Sequence, residues 1–253
     1  MWPIAIIGHF KPGWEDANKI AVRLGRYFES LAEVDPSFSC WTRIGTRRHR
    51  SGVPLLVTMP PKQTELRLWV EENAVLGARA GRKATYGYSL RAITAEHNPV
   101  CADFQLSFVP EDWWFGHRIS TIISYGAGSP SVIDNPSDHK SFIALLRHVL
   151  LVVATAWDCD WAGVMPGDYR QGGRSPQLIE YQSGWMVYIA AAPASGINAP
   201  QDVGIERLAD GAMLLTAAAD AMFDRQNPNH MAAALRIQVA LDPLNAENER
   251  PRG

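Results

Sequence analysis

Asp168, followed by Glu180 and Gln182 in "LIEYQ", comes near the spacing at which a metal-dependent nuclease sets out its Asp…Glu-x-Lys residues. In that chemistry two carboxylates hold a hard divalent cation such as Mg²⁺, and a lysine assists the attacking water. The lysine position here is Gln182, which supplies no positive charge. The alternative is a loop aspartate at Asp168 and a solvent-facing strand residue at Glu180. The seven histidines offer less. The closest pair considered for a helical zinc site, His139 and His148, lies off the i, i+4 spacing such a site uses. His148, set in an apolar run, is expected to be a partly buried core residue. "YGAGSPS" at 125–131 lacks the glycine-lysine and Gly-x-Gly-x-x-Gly patterns that cradle phosphates, and no Gly-x-Ser-x-Gly elbow is present. No catalytic residue, metal ligand or cofactor is expected.

Two further constellations concern binding. "RIGTRRHR" gathers Arg43, Arg47, Arg48 and Arg50, a loop that could touch phosphates. Trp41 is the lone aromatic neighbour suited to stacking on bases, so a solvated loop is the competing reading. "PEDWWFG" sets Glu111 and Asp112 before Trp113 and Trp114. Adjacent side chains on a strand point to opposite faces, so at least one ring can face outward as an interface anchor, whereas the other closes the core. "DCDWAGVMPGDYRQGGRSP" adds Asp158, Asp160, Asp168 and Tyr169 in a second acidic, loop-rich stretch. These eight residues, Glu111 through Trp114 and the Asp158, Asp160, Asp168 and Tyr169 set, are the candidate partner-binding positions.

Composition limits the class. The chain of 253 residues is 47% hydrophobic and 20% charged, enough for a substantial core. Its net charge of −2 gives no general affinity for nucleic acid or anionic membranes. The charge is uneven: residues 1–125 balance at +3 and residues 126–253 at −5. Cys40, Cys101 and Cys159 are odd in number and widely spaced, so no disulfide framework is expected, and a reducing cytoplasm is the natural compartment. "MWPIAIIGHF" lacks a basic leader and reads as a first strand. "FIALLRHVLLVVATAW" is short for a bilayer span, which needs about 20 apolar residues, and it carries Arg147 and His148. It reads as a core helix.

The elements that must position these residues follow from periodicity. A strand over about 3–10 precedes a helix whose apolar stripe runs from Trp14 through Ile20, Leu24, Tyr27, Phe28 and Leu31 to Val34. Glu15 and Asp16 belong to its first turn, and Asp35-Pro36 ends it. After the arginine loop, "VPLLVTM" is a strand, and Thr64 caps a helix to about Asn73 with Leu66, Trp69 and Val70 inward. "TYGYSLRAI", "CADFQLSFV" and "HRISTIISY" form an antiparallel meander. Asp138 caps the core helix to about Trp157. Strands follow at "WAGVM", "GWMVYIAAA", "IERLA" and "AMLLTAA", with Trp185 in the core. Asn227-Pro228-Asn229 opens the last helix, and "NAENERPRG" is a frayed tail. The predicted fold is α+β, with antiparallel sheet packed against several helices. It is one domain over residues 1–253, or two α+β halves of about 1–126 and 127–245.

"AWDCDWAGV", "SGWMVYIAAAP", "DGAMLLTAAADAMFDRQNPNHMAAALRI" and the opening "WPIAIIGHFKPGWEDANKIAVRLGRYFESL" together resemble the immunity protein 52 family of bacterial polymorphic-toxin and type VI secretion systems. The resemblance rests on patterned apolar, tryptophan and glycine positions, among them Gly184-Trp185 and Trp157-Asp158. It carries no catalytic motif. It implies a non-enzymatic inhibitor that binds a co-encoded toxin, often one with a restriction-endonuclease-like nuclease domain. Direct nucleic-acid and membrane partners are not expected from it.

Overall fold

The computed structural model describes residues 4–10, 15–44, 55–58, 62–79, 82–94, 100–108, 117–125, 136–166 and 181–248. In chain order they form β1 (Ile4–Phe10), α1 (Ala17–Val34), a 3₁₀ turn (Pro36–Phe38), β2 (Cys40–Ile44), β3 (Leu55–Thr58) and α2 (Gln63–Glu72). Then come β4 (Ala74–Arg79), β5 (Arg82–Thr94), β6 (Val100–Phe108), β7 (His117–Tyr125) and α3 (Pro136–Ala156). The remainder is β8 (Cys159–Pro166), β9 (Met186–Ile189), α4 (Ala191–Ala194), β10 (Gly204–Arg207), β11 (Met213–Thr216) and α5 (Pro228–Asn248).

The strands make one antiparallel sheet in the order β10-β11-β9-β8-β1-β7-β6-β5-β2-β3, with β4 also paired to β5. The α+β expectation holds. The expected meander is β5-β6-β7, and β1 closes against both β7 and β8. Alternation along each strand divides the core in two, because successive side chains leave a pleated sheet on opposite faces. Ile4, Ile6 and Phe10 of β1, with Leu90 and Ala92 of β5 and Phe104 of β6, pack with the apolar stripes of α1, α2 and α3. Trp161 and Met165 of β8, Val187 and Ile189 of β9, and Met213 and Leu215 of β11 pack on the other face, under Ala234, Ile237 and Leu241 of α5. Beyond α5 on this second face, Ser89, Arg91 and Gln105 are exposed, and Arg91 Nε donates to the Asp103 carboxylate at 3.0 Å.

The helix boundaries correct several expectations. Asp16 is the N-cap of α1, its carboxylate accepting from Lys19 N at 2.8 Å, and Glu15 precedes the helix. Asp35 closes α1 and accepts from Ser37 N, starting the 3₁₀ turn. Lys62, not Thr64, stands at the N-cap of α2, while Leu66, Trp69 and Val70 are buried as expected. α3 begins at Pro136, ahead of Asp138, which suits a proline whose missing N–H would have no helical partner there. α3 is long and apolar enough by composition for a membrane span. Its Leu146, Val149, Leu150 and Val153 nonetheless pack in the first core. His148 on this helix is exposed rather than part of the core.

Two strands were not expected: β2, on which Arg43 lies, and β4. The expected strand after Trp185 ends at Ile189, and its last alanines, Ala191 and Ala192, instead begin the short helix α4, with Ala190 at the N-cap. Asn227 opens α5 by accepting from Asn229 N at 2.9 Å. The helix then continues past Pro243 to Asn248, so residues 245–248 are ordered helix rather than tail.

Candidate partner-binding surface

Asp158 occupies the turn between α3 and β8 in a left-handed backbone conformation, φ 48°. Aspartate tolerates this region better than most residues because its short side chain can bond locally. Here the side chain reaches a distant element: Arg23 Nη1 of α1 donates to Asp158 Oδ2 at 2.7 Å. The same guanidinium grips Glu15 through Nε and Nη2 at 2.9–3.1 Å and touches the Ala156 carbonyl at 3.4 Å. Burial alone would lower the Arg23 pKa, but the hydrogen bonds and charges of Glu15 and Asp158 outweigh it and raise it. The Asp158 side chain remains 77% exposed. It can meet a partner with one carboxylate edge while the other is occupied.

Asp160 is the extra residue of a β-bulge. β1 and β8 pair as His9 with Trp161 and Phe10 with Cys159, leaving Asp160 unopposed. The bulge sends Cys159 into the first core and Trp161 into the second, and the Asp160 carbonyl accepts from Ala190 N at 3.0 Å. Asp160 is half-buried. Asp158 and Asp160 therefore share one end of β8, near the start of α1. Asp168, Tyr169, Glu111, Asp112, Trp113 and Trp114 lie outside the described residues, as do Glu180, Arg47, Arg48 and Arg50.

Arg43 departs from the arginine-loop expectation. It sits in β2, half-buried, with its guanidinium carbon 6.0 Å from the centroid of Trp69. Burial lowers its pKa, offset in part by Glu72 and Glu65. Gln182, at the lysine position of the nuclease-like pattern, gives its carbonyl to Trp161 Nε1 at 3.0 Å.

The Gly184-Trp185 step is built into the scaffold. Trp185 is fully buried, its N bonds to the Val164 carbonyl at 2.9 Å, and its indole Nε1 donates to the Ala218 carbonyl at 2.9 Å. A Cβ on Gly184 would stand 2.6 Å from the Val164 carbonyl oxygen, so only glycine lets β9 approach β8 here. Cys159, also buried, has its thiol pKa pushed up, first by burial and then by Asp160 and Asp158. It has the inert character of a structural cysteine. No group of three or more metal-ligating side chains occurs among the described residues.

Sequence reasoning missed the outward face of α5, where Leu235 and Val239 are more than half exposed. The available signal was the sequence "AAALRIQVAL", which is apolar around the whole helix rather than along one stripe.

These elements from α3 to α5 include the buried Trp157, Trp161 and Trp185 and the glycine contact that define the carboxy-terminal half. Residues 132–246 match the immunity protein 52 family. The resemblance read from the sequence is thus borne out over α3, β8 to β11 and nearly all of α5, while the opening strand and helix lie outside the matched residues. The immunity protein 52 match supports an immunity-protein role. Among curated proteins none matches the chain. A solved structure of a Pseudomonas aeruginosa T6SS protein is similar at TM-score 0.47 and 11% identity, covering 96% of this chain and 73% of that one.

Proposed function

We propose that this chain is a non-enzymatic immunity protein that binds and neutralises a co-encoded toxin, and that the toxin is a nuclease effector of a type VI secretion system met in the cytoplasm. The observation that carries the reading is the immunity protein 52 match over residues 132–246. The charge pattern agrees with a nuclease as target. A nuclease must present a cationic cleft to hold phosphates, and an inhibitor can fill that cleft with carboxylates. The carboxy-terminal half balances at −5, and Asp158 and Asp160 share one end of β8.

Coexpression with the adjacent toxin gene tests the role. Survival that depends on this chain, together with a stable purified complex, supports it; death of the host despite soluble chain overturns it. Plasmid cleavage by the purified toxin, stopped by stoichiometric chain, supports the nuclease target. The chain alone, incubated with plasmid and Mg²⁺ or Mn²⁺, is expected to cleave nothing. Cleavage abolished by Asp168→Ala and Glu180→Ala would make it an enzyme instead.

A further inference from the structure

α5 covers the second core with Ala233, Ala234, Ile237 and Leu241, as an amphipathic helix should. Its opposite side is apolar too. Leu235 is 61% and Val239 62% exposed, the two largest values among the exposed large hydrophobics of the described residues. Ala232, Leu235, Val239, Pro243 and Ala246 recur at steps of three and four, so they form one outward stripe, about 21 Å long at the helical rise.

Arg236 stands at the flank of this stripe. Its Nε is buried with no partner among the described residues, and Nη2 makes one long bond, 3.4 Å, to the Asp202 carbonyl. That bond draws Arg236 toward the strand β10, whose Ile205 is 43% exposed on the α5 side of the sheet, opposite Leu215. A guanidinium with an unfilled donor, on the same helix as exposed Leu235 and Val239, has the composition of an interface hot spot.

Resting on the immunity reading above, we propose that the outer face of α5 is a docking surface for the toxin, which meets Leu235 and Val239 with apolar side chains and gives Arg236 a carboxylate. A planar guanidinium takes a carboxylate through two parallel bonds, so that acid would fix the register of the complex. A second copy of this chain fits less well. In an antiparallel α5 pair with its two-fold at Val239, both Arg236 residues fall on one flank and both Asp242 residues on the other, so like charges gather on each side.

The test is calorimetric titration with a catalytically inactive form of the toxin encoded beside this chain. The Leu235→Asp/Val239→Asp double variant is expected to weaken binding at least 100-fold and Arg236→Glu at least 10-fold. Arg236→Lys should fall between Arg236→Glu and wild type, because lysine keeps charge without the fork. Leu68→Asp, on the exposed side of α2, should bind as wild type and controls for surface charge. Circular dichroism confirms folding of each variant. Wild-type affinity in the folded α5 variants overturns the surface and leaves the immunity reading intact. Failure of the unaltered chain to bind overturns both. A wild-type dimer in sedimentation that the α5 variants dissociate would assign the face to a second copy and overturn the proposal.

Discussion

Arg23 on α1 and Asp158 at the end of α3 are 135 residues apart in sequence and 2.7 Å apart in space. Glu15 completes the contact from the other side, so one guanidinium joins the lead-in of α1 to the turn that starts β8. The two acids differ in exposure, 18% for Glu15 against 77% for Asp158. An exposed pair contributes about 0.2–1 kcal/mol after solvent screening. Asp158→Asn should therefore cost under about 1 kcal/mol, whereas Arg23→Ala, which strands both acids, should cost more. Urea denaturation of the two single variants and the double variant measures the coupling; equal costs would show that Glu15 gains nothing from Arg23.

Gly184→Ala should destabilise the protein by about 1–3 kcal/mol, the usual range for overpacking, because the new methyl group meets backbone and not a flexible side chain. Gly196→Ala is the control. Its Cβ would have the Pro193 carbonyl at 3.7 Å, an ordinary contact, and the change should stay within about 0.5 kcal/mol. Melting temperatures of the pair give the answer directly.

Trp185→Ala should cost about 3–5 kcal/mol, as for other fully buried large aromatics. Trp185→Phe keeps most of the ring volume but leaves the Ala218 carbonyl without its indole donor, so an intermediate loss of about 1–3 kcal/mol is expected. A Phe variant as unstable as the Ala variant would mean that the hydrogen bond, and not the packing, dominates.

Alkali should unfold the protein earlier than its surface charge alone would cause. The Tyr188 phenol is pushed up to about 12, first by burial and then by Asp210 and other nearby acids. Tyr27, buried and bonded to Thr121, and the Cys159 thiol are raised as well. These groups are protonated in the folded protein at pH values where the unfolded chain already releases the proton. The Tyr188 contribution is complete below the unfolded tyrosine value of 10.0 and is lost as pH rises toward about 12. Tyr188→Phe should flatten the fall in melting temperature over that window, and an unchanged slope would assign the loss to other groups.

Much of the fold was legible because local periodicity and burial agree. The α1 stripe, the meander and the buried Trp185 all follow from patterns within a single element. β2 escaped because its Arg43 looks like loop chemistry, and only the approach of Trp69 from α2 shows why an arginine is tolerated there. Ala190 to Ala192 fit strand and helix alike, and Pro193 lies inside the helix turn, Ala191–Ala194, that follows Ala190. The acidic positions were legible as charge but not as geometry. That Asp158 shares Arg23 with Glu15, and that Asp160 bulges from β8, depends on partners far away in sequence. The outward face of α5 was hidden by a helix that is apolar on both sides, where no stripe announces which side is inward.

β1 sits between β7 and β8, so Ile6 pairs with Thr121 on one side and with Val164 on the other. Among the described residues no other strand links β7 to β8 in the sheet path. A strand early in the chain thus waits for two partners made much later, and both joins close large loops whose entropy must be overcome before any contact compensates for it. Until then the nascent chain exposes an Ile-rich segment with two unpaired edges, the kind of surface on which a newly made protein aggregates or needs a chaperone. The rate at which folded protein becomes available would then be set by the docking of this strand, and not by how fast its helices form.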